Sequence, residues 1–281
     1  MRVVQKILRS LVPAVIKNWL YKLQRFISDN LRLSVEVLAL IFRFRYSNKI
    51  SEEEVTCHFL ICNNTNYVSI SKYAIFSYAR FNPQSKITIH CDLKTYPLVR
   101  KKYRFFPKSK MTILKDISDV QYPYISKGLL LLSLQGTKDI FLDVDTRINE
   151  RIPECLVPTA LVAEFKFSQS EKFSRILDSI GCVDFAGKYL LNVTFVSWGG
   201  IHLYIDNKEF LDWSSRYMNL PWEDLLSKEA IPYFKRFVEQ LFFSLIFQAG
   251  EWGVLKSQDR VGDKGIIESS YYGASGYRFG R

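Results

Sequence analysis

The sequence predicts an α/β protein with a mostly parallel, helix-covered sheet, and three observations predict it. The apolar stretches "VTCHFLICNN" and "KITIHCD" flank a helical pattern that stops at Pro83, which is strand, helix, strand at the spacing of a βαβ unit. The helical segment "ISKGLLLLSLQGTK" closes at Gly136 directly before "DIFLDVD", so a further parallel strand is fed by a helix. A chain of 281 residues that is 48% hydrophobic and 15% aromatic has ample material for a core.

Taken in order, the first element is a basic amphipathic extension over residues 1–50. Apolar residues recur from Val3 to Ile27 at helical spacing with Lys and Arg between them. A strict step of four drifts by about 40° per repeat on a helix of 3.6 residues per turn, so Pro13 is expected to kink or divide it. The stretch "LRLSVEVLALIFRFRY" suits helix or strand, and "SNKISEEE" is the linker. The body, residues 51–281, continues with the βαβ unit, a surface helix at "LVRKKYRFF" and a strand at "KMTIL". After "DIFLDVD" come strands at "ALVAEF" and "VTFVSWGGIHLYI", and helices at "KEFLDWSSRYMNL" and "YFKRFVEQLFFSLIFQAG". The tail from Lys256 is rich in Gly, Ser and Tyr.

The net charge of +11 is concentrated at the front: residues 1–50 hold ten Lys or Arg against two Asp or Glu, which leaves +3 for the body. That distribution argues against nucleic acid as the partner of the body. It fits a helix lying on an anionic leaflet with Trp19 at the boundary, or equally one packed on the body or on a partner. Five cysteines without a CxxC pair read as reduced core residues. No convincing signal peptide and no uninterrupted apolar run of about 18 residues occur. The expected location is cytoplasmic, peripheral on the inner face of a membrane if the extension binds there.

Asp143 and Asp145, one residue apart at the end of an apolar strand, offer hard oxygen ligands suited to Mg²⁺ or Mn²⁺. A polar turn ending a strand is the bland alternative. A divalent cation placed there would stabilise the charge that develops on a departing diphosphate. An aspartyl phosphotransferase of the haloacid dehalogenase type also uses an Asp-x-Asp pair, but normally has Thr or Val two places on, where this chain has Arg147, and places the pair after its first strand.

The body resembles the glycosyltransferases of the GT-A fold, most closely family 8, the glycogenin and lipopolysaccharide galactosyltransferase type, over about His58 to Gly253. The resemblance is carried by "HFLICNNTNYVSISKYAIFSYARFNPQSKITIHCD", by the specific block "KDIFLDVDTRI", and by Glu239 and Gln240 in "FVEQLFFSLIFQ". It implies a nucleotide-sugar donor, with Asp143 and Asp145 at the metal and the ribose-diphosphate. Asn63, Thr65, Asn66 and Tyr67 would line the base, Lys127 would stand near the sugar, and Asn192 with Gly199 and Gly200 would face it. Gln240 would face the reacting sugar. The family's third metal ligand, a His near the C-terminus, has no counterpart in the tail; Glu268, Ser270 or water could replace it, with His202 a remote choice, and Arg278 and Lys264 are candidate phosphate contacts. The expected function is metal-assisted transfer of a sugar from a UDP-sugar to a glycan or lipid-linked acceptor; the resemblance to family 8 would imply retention of configuration, but the sequence identifies no nucleophile. The alternative is a catalytically inactive nucleotide-sugar-binding or scaffold protein on the same fold.

Overall fold

A computed structural model describes residues 55–118, 122–155, 158–166, 170–182 and 189–249, and the short segments 253–255, 267–269, 271–273 and 276–278. The expected basic helices of residues 1–50 and the linker through 54 lie outside the described residues.

The body is a mixed, mostly parallel sheet flanked by helices. β1 (Thr56–Ile61), α1 (Thr65–Phe81) and β2 (Lys86–Cys91) form the expected βαβ unit, and β1 and β2 pair in parallel, Cys57 opposite Ile87. The short α2 (Tyr96–Lys102) leads to β3 (Met111–Leu114), and α3 (Pro123–Ser133) feeds β4 (Ile140–Leu142). β5 (Thr146–Ile148) follows at once. Next come β6 (Thr159–Lys166), α4 (Glu171–Ser179) and β7 (Tyr189–Ser197). The helices α5 (Asn207–Met218), α6 (Trp222–Leu225), α7 (Ile231–Lys235) and α8 (Val238–Ala249) precede the short strands β8 (Gly253–Leu255), β9 (Ile267–Ser269), β10 (Tyr271–Gly273) and β11 (Gly276–Arg278).

Seven strands run in the order β3-β2-β1-β4-β7-β6-β8. β1 through β4 are mutually parallel, and β7 is antiparallel to both β4 and β6. From β1 the chain passes to β2 and β3 on one side, then returns to β4 on the other. The crevice between β1 and β4 is therefore a topological switch point, and open α/β sheets bind ligands at such a point, beyond the carboxyl ends of the strands.

Alternation along β1 sends Cys57, Phe59 and Ile61 to one face, where Phe59 meets Tyr78 of α1 edge to face at 6.2 Å. Leu60 joins the opposite face, the larger core, built from Leu130 and Leu131 of α3, Phe210 and Trp213 of α5 and Phe242 and Phe243 of α8. Trp198, fully buried, donates its indole N–H to the Leu131 carbonyl at 2.6 Å and so fixes the end of β7 to α3. The cysteines are all free, and burial pushes the Cys62 and Cys91 thiols up to about 12, which keeps them protonated and inert.

Several boundaries depart from the sequence expectation for local reasons. The strand expected from Val193 begins at Tyr189 and ends at Ser197, because two glycines with positive φ, Gly199 (60°) and Gly200 (82°), turn the chain immediately after it. The single helix expected over 233–250 is interrupted at Arg236 and Phe237 into α7 and α8. Helix α4 was not anticipated, although Ser170 accepts a hydrogen bond from the Phe173 amide as a regular N-cap.

Candidate active site

The site is built where β4 stops. Ile140, Phe141 and Leu142 are buried, and the Asp143 amide still donates to the Thr194 carbonyl of β7 at 2.8 Å. The chain then turns. Thr146 donates through its amide (3.3 Å) and its hydroxyl (2.6 Å) to the Asp143 carbonyl, and Val144 packs inward between the two aspartates. Asp143 and Asp145 are left partly exposed at the carboxyl edge of the sheet.

Helix α3 supplies the counter-charge. Lys127 Nζ donates to Asp143 Oδ2 at 2.8 Å, stands 3.8 Å from Glu239 Oε1 of α8, and lies 5.3 Å from the Phe141 ring centroid. Burial works against the Lys127 charge, but Asp143 and then Glu239 outweigh it and hold its pKa above the ordinary value. Burial dominates at Glu239, whose carboxyl is pushed up from 4.5 to about 7 with Lys127 opposing. The difference is geometric: the nearer, better-solvated Asp143 carries the compensating charge, while Glu239 is inside and Oε2 has no hydrogen-bond partner.

This cluster has a pH signature. Because the folded state holds the Glu239 proton more tightly than the unfolded chain does, Glu239 contributes stability at low pH that declines as pH rises from about 4.5 through about 7 and is gone above it. Denaturant titrations across that window should show the wild type losing up to about 3 kcal/mol relative to Glu239→Gln. Parallel pH profiles for the two proteins would place the Glu239 pKa near its ordinary value.

The helix that carries Lys127, α3, also packs closely on α5. The neighbouring Gly128 is buried, and a Cβ on it would stand 2.1 Å from Phe210 Cζ. Only a residue without a side chain permits that approach. Gly128→Ala is expected to destabilise the protein by about 1–3 kcal/mol through overpacking, despite a helix-propensity gain of about 1 kcal/mol. Chemical denaturation measures it; unchanged stability would mean that α3 shifts without penalty.

The loop after β1 leaves the same edge one strand away. β1 and β4 pair at Cys57 with Ile140 and His58 with Phe141, and continuing that register sets Leu60 beside Asp143. Asn63 adopts a positive φ of 63°, and Asn64 caps α1 by accepting from the Asn66 amide at 2.9 Å. Thr65 and Asn66 are exposed and Tyr67 is half-buried.

Asp92, not singled out from the sequence, shapes this loop. Its Oδ2 accepts from the Asn63 amide and its Oδ1 from the Thr95 amide at 2.7 Å, while the Thr95 hydroxyl also reaches the Ile61 carbonyl. Burial raises the Asp92 pKa, but the hydrogen bonds from Asn63 and Thr95 prevail and hold it below the ordinary value. The signal was present as Asp-x-x-Thr at the end of the "KITIHCD" strand.

The other candidates divide by position. Gln240 follows Glu239 in the first turn of α8, half-buried. Asn192 lies on β7 two residues from Thr194, toward the Asp145 end of the sheet, but its side chain lies outside the described residues. Gly199, Gly200 and His202 are at the opposite end: Ser197 pairs with Ile140 at the start of β4, and the Gly200 amide donates to Thr137. Antiparallel pairing of β7 carries the chain away from Asp143, so those three do not join the site. The tail strand β9 pairs with β5, setting Glu268 opposite Arg147 in register. Arg278, on β11, pairs with Tyr271, and Ser270 and Lys264 lie outside the described residues.

Asp143 uses Oδ2 for Lys127, and Oδ1 together with the Asp145 carboxylate remains chemically suited to a divalent cation. Among the described residues no group of three His, Cys, Asp or Glu gathers around a common point.

No protein-family model and no curated protein sequence matches the chain. Similar solved structures are a galactosyltransferase, LgtC, in complex with donor and acceptor sugar analogues (14% identity, 73% of this chain and 74% of that chain, TM-score 0.46), and the glycosyltransferase GlyE of Streptococcus pneumoniae (12% identity, 73% and 45%, TM-score 0.42). A mannosyltransferase of Pyrobaculum calidifontis in complex with GDP-Man and Mn²⁺ is more distant (12% identity, 54% and 50%, TM-score 0.29). Likeness at this level concerns the path of the chain only, so the functional conclusion rests on the residues.

Proposed function

We propose that the chain is a glycosyltransferase of the GT-A type that moves a sugar from a nucleotide-diphosphate donor, UDP-linked, to a hydroxyl of a glycan or lipid-linked acceptor. The observation that supports it most is the charge cluster of Asp143, Lys127 and Glu239 at the carboxyl ends of β1 and β4, where a ligand crevice is expected. The Asn63 to Tyr67 loop opens on the same edge, and the exposed side-chain amides of Asn63 and Asn66 with the Tyr67 ring would meet a nucleotide base.

In the reaction the bond between the anomeric carbon and the phosphate oxygen breaks, the acceptor oxygen bonds to that carbon, and its proton leaves with the diphosphate. Asp143 and Asp145 would hold Mn²⁺ or Mg²⁺, whose role when bound is to stabilise negative charge on the departing diphosphate. Lys127, already positioned and largely desolvated, is a second cation for that charge and needs little reorganisation. Gln240, half-buried in the first turn of α8, would face the sugar, while the buried Glu239 beside it acts through Lys127, 3.8 Å away, rather than on the sugar itself. Holding acceptor and donor together supplies the remaining rate enhancement.

Turnover of a panel of nucleotide sugars by the purified chain, with Mn²⁺, Mg²⁺ or chelator, tests this proposal. Hydrolysis or transfer from one donor, abolished by chelator, is the expected result. A second reading, a nucleotide-sugar-binding protein without turnover, is favoured by the lack of a third side-chain ligand among the described residues. Binding of a donor without consumption, with or without acceptor glycans, would select it.

A further inference from the structure

A second feature meets the candidate site at Thr65, but its cations and exposed apolar side chains take no part in the chemistry above. Between Leu93 and Lys115 the sequence carries eight Lys or Arg and no Asp or Glu, although the body as a whole is nearly neutral. This stretch forms α2 and the turn after it. Leu98, Lys101 and Lys102 fall at i, i+3 and i+4, one face of the helix. With Arg104, Phe105 and the first turns of α1 they line an open groove of about 460 Å³.

The groove combines two unpartnered chemistries. Phe105 is 68% exposed and Leu98 42%, with Leu93 at 62% beside the same helix. Among the described residues no carboxylate pairs with Lys72, Lys101, Lys102 or Arg104; the guanidinium of Arg104 lies 4.5 Å from the Phe105 ring and Lys102 Nζ donates only to the Ser69 carbonyl, at 3.3 Å. Burial and the neighbouring Lys72 push the Lys102 pKa down to about 8, the mark of crowded cations that lack a counter-charge.

We propose that this groove is a docking surface for an anionic membrane leaflet, with lipid phosphates among Lys101, Lys102 and Arg104 and with Leu98 and Phe105 entering the acyl boundary. Cations interleaved with exposed apolar side chains are what an interfacial contact requires. A fully hydrated polyanion has no use for Leu93 and Leu98, and aliphatic side chains offer nucleobases no stacking face. The volume accommodates a phosphate headgroup. The groove includes Thr65, next to the Asn64 cap of α1, so a leaflet docked here lies beside the loop assigned above to the nucleotide base. The docking does not depend on the transferase function; its consequence, a lipid-linked acceptor, does.

The test uses the full chain, with residues 1–50 in place, and vesicles of phosphatidylcholine alone or mixed with phosphatidylglycerol. Wild-type protein is expected to sediment with the anionic vesicles, and Lys101→Gln/Lys102→Gln/Arg104→Gln to lose about 10²-fold in partition, at about fivefold per cation removed. Phe105→Trp gives a readout that keeps all the charges: its added emission should be quenched by brominated acyl chains in anionic vesicles. Unchanged partition of the triple variant, or a Phe105→Trp signal indifferent to brominated lipid, overturns the proposal. So does equal binding to phosphatidylcholine alone, or binding to oligonucleotides while anionic vesicles are ignored.

Discussion

Lys127→Met is expected to lower sugar transfer by about 10²–10³-fold while leaving the protein folded and close to wild-type stability. The first half follows from position: a desolvated cation aimed at developing charge is worth about 2.7–4 kcal/mol of barrier, by analogy with a lost oxyanion-hole donor. The second half follows from the two carboxylates. Stranding a buried charge destabilises by about 3–5 kcal/mol, but neither partner is stranded here. Asp143 is partly solvated, and Glu239, whose carboxyl is already raised to about 7, takes up a proton. Met retains the apolar stem against Phe141. Steady-state kinetics paired with denaturant unfolding reads both halves. A variant that retains most of its turnover would make Lys127 a structural ion pair, and one that unfolds would show Glu239 to be ionised in the native state.

Asp143→Ala and Asp145→Ala are each expected to reduce turnover by at least about 10²-fold and to abolish its response to Mn²⁺ or Mg²⁺. They should differ in stability. Asp143→Ala removes the partner at 2.8 Å from a nearly buried Lys127 and leaves only Glu239, at 3.8 Å, to balance it. A loss of about 1–3 kcal/mol follows, limited because Glu239 can then ionise. Asp145 acts on Lys127 only at longer range, the weakest of the interactions that raise its pKa, so its removal should disturb the Lys127 charge balance less. Turnover and metal response that survive both substitutions would show the pair to be a polar turn at a strand end.

Much of this architecture is legible in the chain because its signals are local. Apolar runs ending in Asn63, Asp92 and Asp143 mark three parallel strands, and Pro83 and Gly136 mark where the helices stop. The break at Arg236 and Phe237 is not legible: the apolar periodicity runs through it, and docking of Phe234 and Phe237 against Phe173 of α4 depends on an element far away in sequence. The site divides in the same way. Aspartates one residue apart at a strand end announce themselves, and Lys127 entered only through its place in the resemblance, while its pairing with Asp143 depends on how α3 docks. The contact of Asp92 with Thr95 is local, but its role in the site was missed because Asn63 meets it only once β1 and β2 are side by side. Gly199 and His202 look close to the site in a linear reading and are carried to the opposite edge by the antiparallel pairing of β7 with β4.

The central claim is that Asp143, Asp145 and Lys127 form a site for a nucleoside diphosphate and its metal. Calorimetric titration of UDP and UDP-sugars into the wild type and Asp143→Ala, with and without Mn²⁺, tests it most directly. Binding that strengthens with Mn²⁺ in the wild type and loses that dependence in Asp143→Ala is predicted. Equal affinity in both proteins, or no binding of any nucleoside diphosphate by the folded wild type, would contradict it.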